Sequence, residues 1–289
     1  MFLSRRLLEP YYPAAKDLDR DLKTASDSSK EDDQLFAWLC IDEDVWESLC
    51  AVFERRMGTR KGFGAWLLEA GSLQYRLNPD QRRVGAFFIL LELREFGGHT
   101  LWNRVKIAPH YEDVVKQVHI RVAKRFKKTV HDIMSVEERE ISLCAMLLGE
   151  SLDQLSAEGV EQLLKDSRYH STSDFSEVKK SFRAMLGGSG GEGGIGIARF
   201  KGMLGKTIAK RFGLALVESA WGASKLASVG RIGSIAAKVL PFALRRAGLY
   251  LSLGFLLKDA YQLGGEATRV TNPAVIIIAL YRSLGDTKV

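Results

Sequence analysis

The sequence predicts an all-α protein, because helix-start signals recur, Pro is scarce, and no segment alternates in the manner of a strand. The chain has 289 residues, of which 46% are hydrophobic and 27% charged, a composition typical of globular domains. Two capping boxes, Asn78–Gln81 and Ser135–Glu138, precede apolar residues at helical spacing. Without sustained period-two alternation, any sheet is at most minor.

Charge and glycine divide the chain into two parts at Gly187. Residues 1–186 carry 28 Lys and Arg against 30 Asp and Glu, whereas residues 187–289 carry 14 against 5 and hold 18 of the 27 glycines. We therefore expect four regions. They are a charged lead-in at 1–31, a helical domain at 32–186, a Gly-rich linker at 187–194, and a basic, Gly-rich helical region with an apolar hairpin at 195–289.

The N-terminal half is expected to begin with a solvated segment, since residues 14–34 are highly charged. From Asp32 to Met57, apolar spacing predicts two short helices hinged at Asp42-Glu43-Asp44. Three adjacent acids could form a metal or acid/base site. The start of a helix is the better interpretation, because acids there complement the helix dipole.

Asn78 predicts the clearest helix start in the chain, since Pro79 suits a first helical turn. One face of this helix is apolar and carries Val84, Phe87, Phe88 and Leu91. A structural turn at Phe96, Gly97 and Gly98 is expected to stop it, because glycine adopts a left-handed conformation without penalty.

A basic helix is expected from Tyr111 to Lys128, with an apolar stripe of Val115, Val118, Val122 and Phe126. Its other face carries Lys116, Arg121, Lys124, Arg125, Lys127 and Lys128. Such a face can contact nucleic-acid phosphates. A solvated helix surface is favoured instead, since the face lacks aromatics and no groove-reading motif surrounds it. The helix opened by Ser135 is expected to end near Gly149.

The C-terminal region predicts a basic amphipathic helix from Lys206 to Gly230, with bases on one arc and apolar residues opposite. Residues 242–263 and a last helix capped by Asn272-Pro273 form the apolar hairpin. Their uncharged runs are only 11 and 12 residues long, in Ala247–Leu257 and Val270–Tyr281. Because a bilayer core needs about 20 residues of helix, we expect the hairpin to be buried, or to insert only after a conformational change.

Chemistry-bearing motifs are weak, so no catalytic, cofactor-binding or metal-binding residue is assigned. Gly205-Lys206-Thr207 lacks the preceding glycine and strand of a phosphate-binding loop. The five histidines are dispersed, and no nucleophile elbow occurs. Three cysteines without metal spacing favour a reducing cytoplasm, and Pro10 and Pro13 break any secretory signal. A non-enzymatic protein is expected, an unrecognised enzyme being the third alternative.

Several motifs resemble the uncharacterised bacterial YaaW-like family. Matching segments begin at Glu92 (ELREFGGHTLWNR), Val122 (VAKRFK) and Arg269 (RVTNPAV), in the family's order. Asp33-Gln-Leu-Phe-Ala-Trp-Leu and Glu43-Asp-Val-Trp-Glu-Ser-Leu resemble its N-terminal module. The resemblance spans roughly residues 32 to 289, and it implies no established reaction, cofactor or catalytic residue.

The preferred function is association of the basic C-terminal region with an anionic membrane, at its cytoplasmic face, in a stress, defence or toxin-like role. Each base near an anionic surface contributes about 1 kcal/mol. The expected contacts are Lys206, Lys210, Arg211, Lys225, Arg231, Lys238, Arg245 and Arg246. The alternative is a soluble adaptor or chaperone-like protein that binds a protein partner, in which the same apolar face completes a core. Nucleic acid is the disfavoured partner.

Overall fold

The computed structural model describes residues 3–54, 61–97, 109–130, 133–154 and 268–284. This part of the chain is helical, with nine α-helices and no strand, which confirms the predicted fold class. The helices are α1 (Arg5–Leu8), α2 (Ala15–Ser26), α3 (Lys30–Ile41), α4 (Trp46–Glu54), α5 (Lys61–Ser72), α6 (Pro79–Gly97), α7 (Tyr111–Arg125), α8 (Val136–Gln154) and α9 (Thr268–Leu284). A 3₁₀ turn at Glu9–Tyr11 follows α1.

The structure has two compact units, one formed by residues 1–118 with 264–275 and the other by 119–263 with 276–289. The division passes through α7 after Val118 and through α9 after Val275. The described residues omit most of the segment between α8 and α9, so the predicted domain limits, including the linker at 187–194, stay a prediction.

Helix starts follow the capping signals in the sequence. Asn78 and Gln81 exchange backbone-to-side-chain hydrogen bonds of 2.9 and 3.0 Å at α6. Ser135 and Glu138 do the same at α8. The predicted hinge at 42–44 is confirmed, because Oδ1 of Asp42 accepts from the backbone N–H groups of Asp44 and Val45 ahead of α4.

The charged segment 14–34 is not a solvated lead-in. It forms α2 and the first turn of α3, and the side chains of Leu18, Asp21 and Ala25 are buried. These three residues lie on one stripe of α2, where the Asp21 carboxylate accepts from the Tyr12 hydroxyl at 2.7 Å, so the helix packs despite its high charge.

Three predicted helix boundaries are wrong. The basic helix α7 ends at Arg125 rather than Lys128, and α8 continues through Gly149 to Gln154. The last helix begins at Thr268, so Pro273 lies inside it instead of opening it. An interior proline removes one backbone hydrogen bond and its ring crowds the carbonyl four residues earlier, at a cost of about 3 kcal/mol, and burial of the side chains from Val270 to Tyr281 offsets this cost.

Helix α6 is the core of the first unit. The sequence predicts one apolar face, but every side chain from Val84 to Arg94 is buried, so the helix is enclosed on all sides. Phe88 of α6 packs within 6.1 Å, centroid to centroid, of Tyr11, Tyr12 and Phe63. Trp66 of α5 packs against Trp46 of α4 and donates its indole N–H to the carbonyl of Gln81.

In the second unit, Arg282 of α9 donates to the buried carboxylate of Glu140 on α8 at 2.8 Å. In this unit, the side chains of α9 from Ile276 to Tyr281 are buried. Within the described ranges, no helix combines the length and the apolar character needed to cross a bilayer.

Gly85 provides the sharpest test of the α6 packing. A Cβ at Gly85 would lie 2.7 Å from Cζ3 of Trp46 and closer still to the ring of Trp66. We expect Gly85→Ala to lower the free energy of unfolding by about 1–3 kcal/mol, measured by chemical denaturation, because neither ring can move without disturbing the core.

The matched control is Gly64→Ala, since a Cβ at Gly64 meets nothing within 4 Å. Alanine is a better helix former than glycine, so this variant should be more stable by up to about 1 kcal/mol. Equal effects of the two substitutions would contradict the packing described for α6.

Candidate functional site

The predicted membrane contacts all lie outside the described residues. They are Lys206, Lys210, Arg211, Lys225, Arg231, Lys238, Arg245 and Arg246. The structural turn at Phe96, Gly97 and Gly98 stays a prediction, because α6 is described as far as Gly97 and Gly98 lies outside the described residues. The described part of the chain holds three polar features that deserve comparison as sites, and each lies within a single unit.

The first feature is a buried carboxylate, Asp32, at the start of α3. Its Oδ2 accepts from the backbone N–H of Ser29 at 3.0 Å, while Ser29 Oγ accepts from the N–H of Asp32, forming a capping box. Its Oδ1 accepts from the N–H of Tyr111 at 2.8 Å, in the first turn of α7. One side chain therefore satisfies orphan donors at the starts of two helices.

A buried cation faces the same carboxylate. Nη1 of Arg94, on α6, lies 3.7 Å from Oδ2 of Asp32 and donates to the carbonyl of Thr24 at 3.1 Å. Nη2 of Arg94 lies 3.5 Å from the exposed carboxylate of Asp27. Because a buried charge is costly unless it is paired, this network compensates a cation enclosed in the first unit.

His110 completes the network, with its Nδ1 2.8 Å from Oδ2 of Asp32. A carboxylate and the histidine that it orients are two of the three members of a catalytic triad. The third member, a nucleophile, is missing from the described residues, where no hydroxyl or thiol is hydrogen-bonded to His110. The arrangement supports a structural role, in which Asp32 fixes α3, α6 and α7 to one another.

The second feature is a buried histidine in the second unit. Nε2 of His119, on α7, lies 2.9 Å from Oγ of Ser142 on α8. Its Nδ1 has no hydrogen-bond partner among the described residues. Burial, and to a smaller extent the positive charge of Arg139, lowers the pKa of His119 to about 4. This imidazole is therefore neutral at neutral pH.

The cysteines offer no activated nucleophile in the described structure. Cys50 and Cys144 are buried, and Cys40 is half-buried. Burial raises the pKa of the Cys40 thiol to about 11, although Arg83 and Arg82 act in the opposite direction. A thiol with such a pKa is protonated at neutral pH and reacts slowly. The described residues also contain no group of His, Cys, Asp and Glu side chains suited to a metal ion.

The third feature is the end of α7, which we call the basic corner and define as Lys124, Arg125, Lys127 and Lys128. All four side chains are exposed. The N–H groups of Lys127 and Lys128 donate to the carbonyls of Lys124 and Ala123 at 3.2 and 2.8 Å. This pair of bonds is a Schellman motif, in which the penultimate position is usually glycine.

Here that position is Lys127, whose φ of 54° lies in the left-handed region. A side chain in this conformation costs about 1 kcal/mol or more relative to glycine. Attraction between the lysine charge and the helix dipole returns part of that cost. Gln74 occupies the same position at the end of α5 with a φ of 50°, so the basic corner is singled out by its four exposed cations on a fixed turn and not by its backbone.

The sequence contained signals for part of these features. Ser29-x-x-Asp32 is a capping box pattern, and the bases of the corner are adjacent in sequence. Nothing local indicates that Asp32 meets His110 and Tyr111, which lie 78 and 79 positions away. Nor does the sequence show that Arg94 is buried, since arginine is usually exposed.

Loss of the Asp32 charge should destabilise the first unit. We expect Asp32→Asn to lower the free energy of unfolding by about 3 kcal/mol, measured by chemical denaturation, because Arg94 is then buried without its carboxylate. The control Glu31→Gln, in the same turn of α3, should change stability by less than about 0.5 kcal/mol. In a double variant, Asp32→Asn with Arg94→Met, the free energy of unfolding should fall by less than the sum of the decreases in the two single variants. Additive decreases would contradict an energetic coupling between Asp32 and Arg94.

Stability should fall with acidification because of His119. In the unfolded chain its pKa is near 6.5, and in the folded protein it is about 4. Between these two pKa values the unfolded chain binds more protons than the folded protein does, so acidification favours unfolding. The contribution of neutral His119 to the free energy of unfolding is therefore complete above pH 6.5. It is lost as the pH falls towards 4, at up to about 1 kcal/mol per pH unit. Unfolding measured across this range should show a shallower pH dependence for His119→Gln than for the unaltered chain. Parallel curves would exclude His119 as the cause.

Comparison with known proteins gives no match to a family model, to a curated protein or to a solved structure. The resemblance to the YaaW-like family therefore stays a prediction. Function has to be argued from the charge and burial of this chain's own residues.

Proposed function

We propose that the protein is a non-enzymatic helical protein that binds peripherally to an anionic membrane through its basic C-terminal region. The observation that carries the proposal is the charge distribution. Between Arg199 and Arg246 the sequence has ten Lys and Arg and a single acid, Glu218. At about 1 kcal/mol per base near an anionic surface, several of these residues suffice for binding.

The burial of α9 supports a peripheral mode over an inserted one. Its apolar side chains from Val270 to Tyr281 are already covered by protein. Inserting this helix into a bilayer would expose the surface that now covers it, and the transfer would gain little apolar burial. Charge contacts combined with shallow apolar contacts, as in interfacial amphipathic helices, need no such rearrangement.

The same burial also favours a second candidate, a soluble adaptor or chaperone-like protein. In that case the C-terminal region completes a helical core, as α9 does, and an exposed surface binds a protein partner. The two candidates differ in one measurable property, which is affinity for lipid.

Vesicle binding of the intact chain tests the proposal. We expect co-sedimentation with vesicles of equal parts phosphatidylcholine and phosphatidylglycerol, and none with phosphatidylcholine alone. Binding should weaken as salt rises, since the Debye length shortens from about 10 Å at 0.1 M to about 3 Å at 1 M. Lys206→Glu with Lys210→Glu should weaken binding without changing the melting temperature.

The matched control reverses two exposed bases, Lys30 and Arg83, to glutamate. Lys30 is the first residue of α3, where an acid complements the helix dipole, and Arg83 on α6 makes an exposed and therefore weak ion pair with Asp80, so the control should remain folded. It should bind vesicles nearly as the unaltered chain does. If the unaltered chain ignores anionic vesicles at low salt and after mild acidification, the adaptor becomes the better account. Truncation at residue 186 is a poor substitute, because it would remove the buried helix α9.

A further inference from the structure

We infer that the end of α7 and Ile133, shortly before α8, contact a membrane, in such a way that Lys124, Lys127 and Lys128 bind lipid phosphates and Ile133 enters the acyl boundary. The inference rests on the proposed function, since it assigns a second contact to the same membrane association. It depends on different residues, however, all of them described and all within the second unit.

The first observation is the charge of this part of the chain. From Lys116 to Met134 the sequence has six bases and one acid, Asp132. The bases at the end of α7 are exposed in the folded protein. Phosphate-bearing surfaces are the chemical complement of such a cluster.

The second observation is the backbone of the basic corner. Two backbone hydrogen bonds fix the conformation of the turn. The side chains of Lys127 and Lys128 therefore extend from an ordered backbone. Lys127 keeps a left-handed φ of 54°, which glycine would adopt at lower cost. Gln74 has a similar φ of 50° in the same motif at the end of α5, so the conformation belongs to the helix cap, and what distinguishes the basic corner is the charge that this fixed turn carries.

The third observation separates a membrane from other polyanions. Ile133 is 98% exposed and lies five residues beyond Lys128 in the sequence, so a large apolar side chain stands fully in water a short stretch of chain from the cations. An isoleucine gains free energy by leaving water for the acyl boundary of a bilayer, whereas the phosphates of a nucleic acid offer it nothing comparable. Bases and an exposed apolar residue together favour a lipid surface.

An environment-sensitive label at position 133 tests insertion directly. In the full chain carrying Cys40→Ser, Ile133→Cys is labelled with a nitrobenzoxadiazole dye, since Cys50 and Cys144 are buried. We expect a blue shift and brighter emission with the phosphatidylcholine/phosphatidylglycerol vesicles, and neither with phosphatidylcholine alone. The control label at Leu68→Cys, an 80% exposed leucine on α5, should not respond.

Charge variants test the headgroup contacts. Lys127→Gln with Lys128→Gln should weaken partitioning into these vesicles roughly thirty-fold, as expected for two bases near the surface. The control Lys30→Gln with Arg83→Gln should change it little. Lys127→Gly removes the cost of a side chain at a left-handed φ, so it should raise the melting temperature. The same variant should weaken vesicle binding. Because the variant is more stable, this weaker binding cannot be attributed to unfolding.

The possible results distinguish this inference from the proposed function. If the chain binds anionic vesicles but the label at 133 is silent and the Lys127/Lys128 variant binds normally, these residues make no membrane contact, and the proposed function stands. If the chain does not bind these vesicles at all, both fail. If the same variant weakens binding to a single-stranded or duplex oligonucleotide and leaves vesicle binding intact, the inference is overturned in favour of a nucleic-acid surface.

Discussion

The first unit is organised around one buried negative charge. The carboxylate of Asp32 accepts backbone hydrogen bonds at the start of α3 and at the start of α7, and it faces Arg94 on the enclosed helix α6. An ion of either sign is costly in the protein interior, so each of these groups requires the others. The positions of three helices that are distant in sequence are thereby tied to a single side chain, and one of them, α6, carries Phe88, against which Phe63 of α5 packs.

Local signals in the sequence were sufficient for the fold class and for most helix starts. Capping residues act within three positions of the helix they begin, which is why Asn78 and Ser135 mark α6 and α8 correctly. Helix ends were harder to predict. Gly149 lies inside α8 and Pro273 inside α9, and at Pro273 the burial of the surrounding helix overrides the intrinsic preference of a single residue.

Long-range features could not be predicted because they depend on which helix faces which. Periodicity marks one apolar face of α6, but it cannot show that Glu92 and Arg94 are buried too, within a helix surrounded on every side. The same limit applies to the candidate surfaces. The bases at the end of α7 were visible in the sequence, whereas the left-handed backbone of Lys127 and the exposure of Ile133 required the structure.

The burial of α9 constrains how the protein is made. Residues 264–275, which include the start of α9, belong to the first unit together with helices near the beginning of the chain, yet 113 residues separate the end of α8 from the start of α9. At a synthesis rate of about 5–20 residues per second, the ribosome needs roughly 6–20 seconds to cross that interval. During this time the first unit lacks residues 264–275, which belong to it in the folded protein. Folding of the first unit is therefore completed late, although six of its helices are among the first to be synthesised.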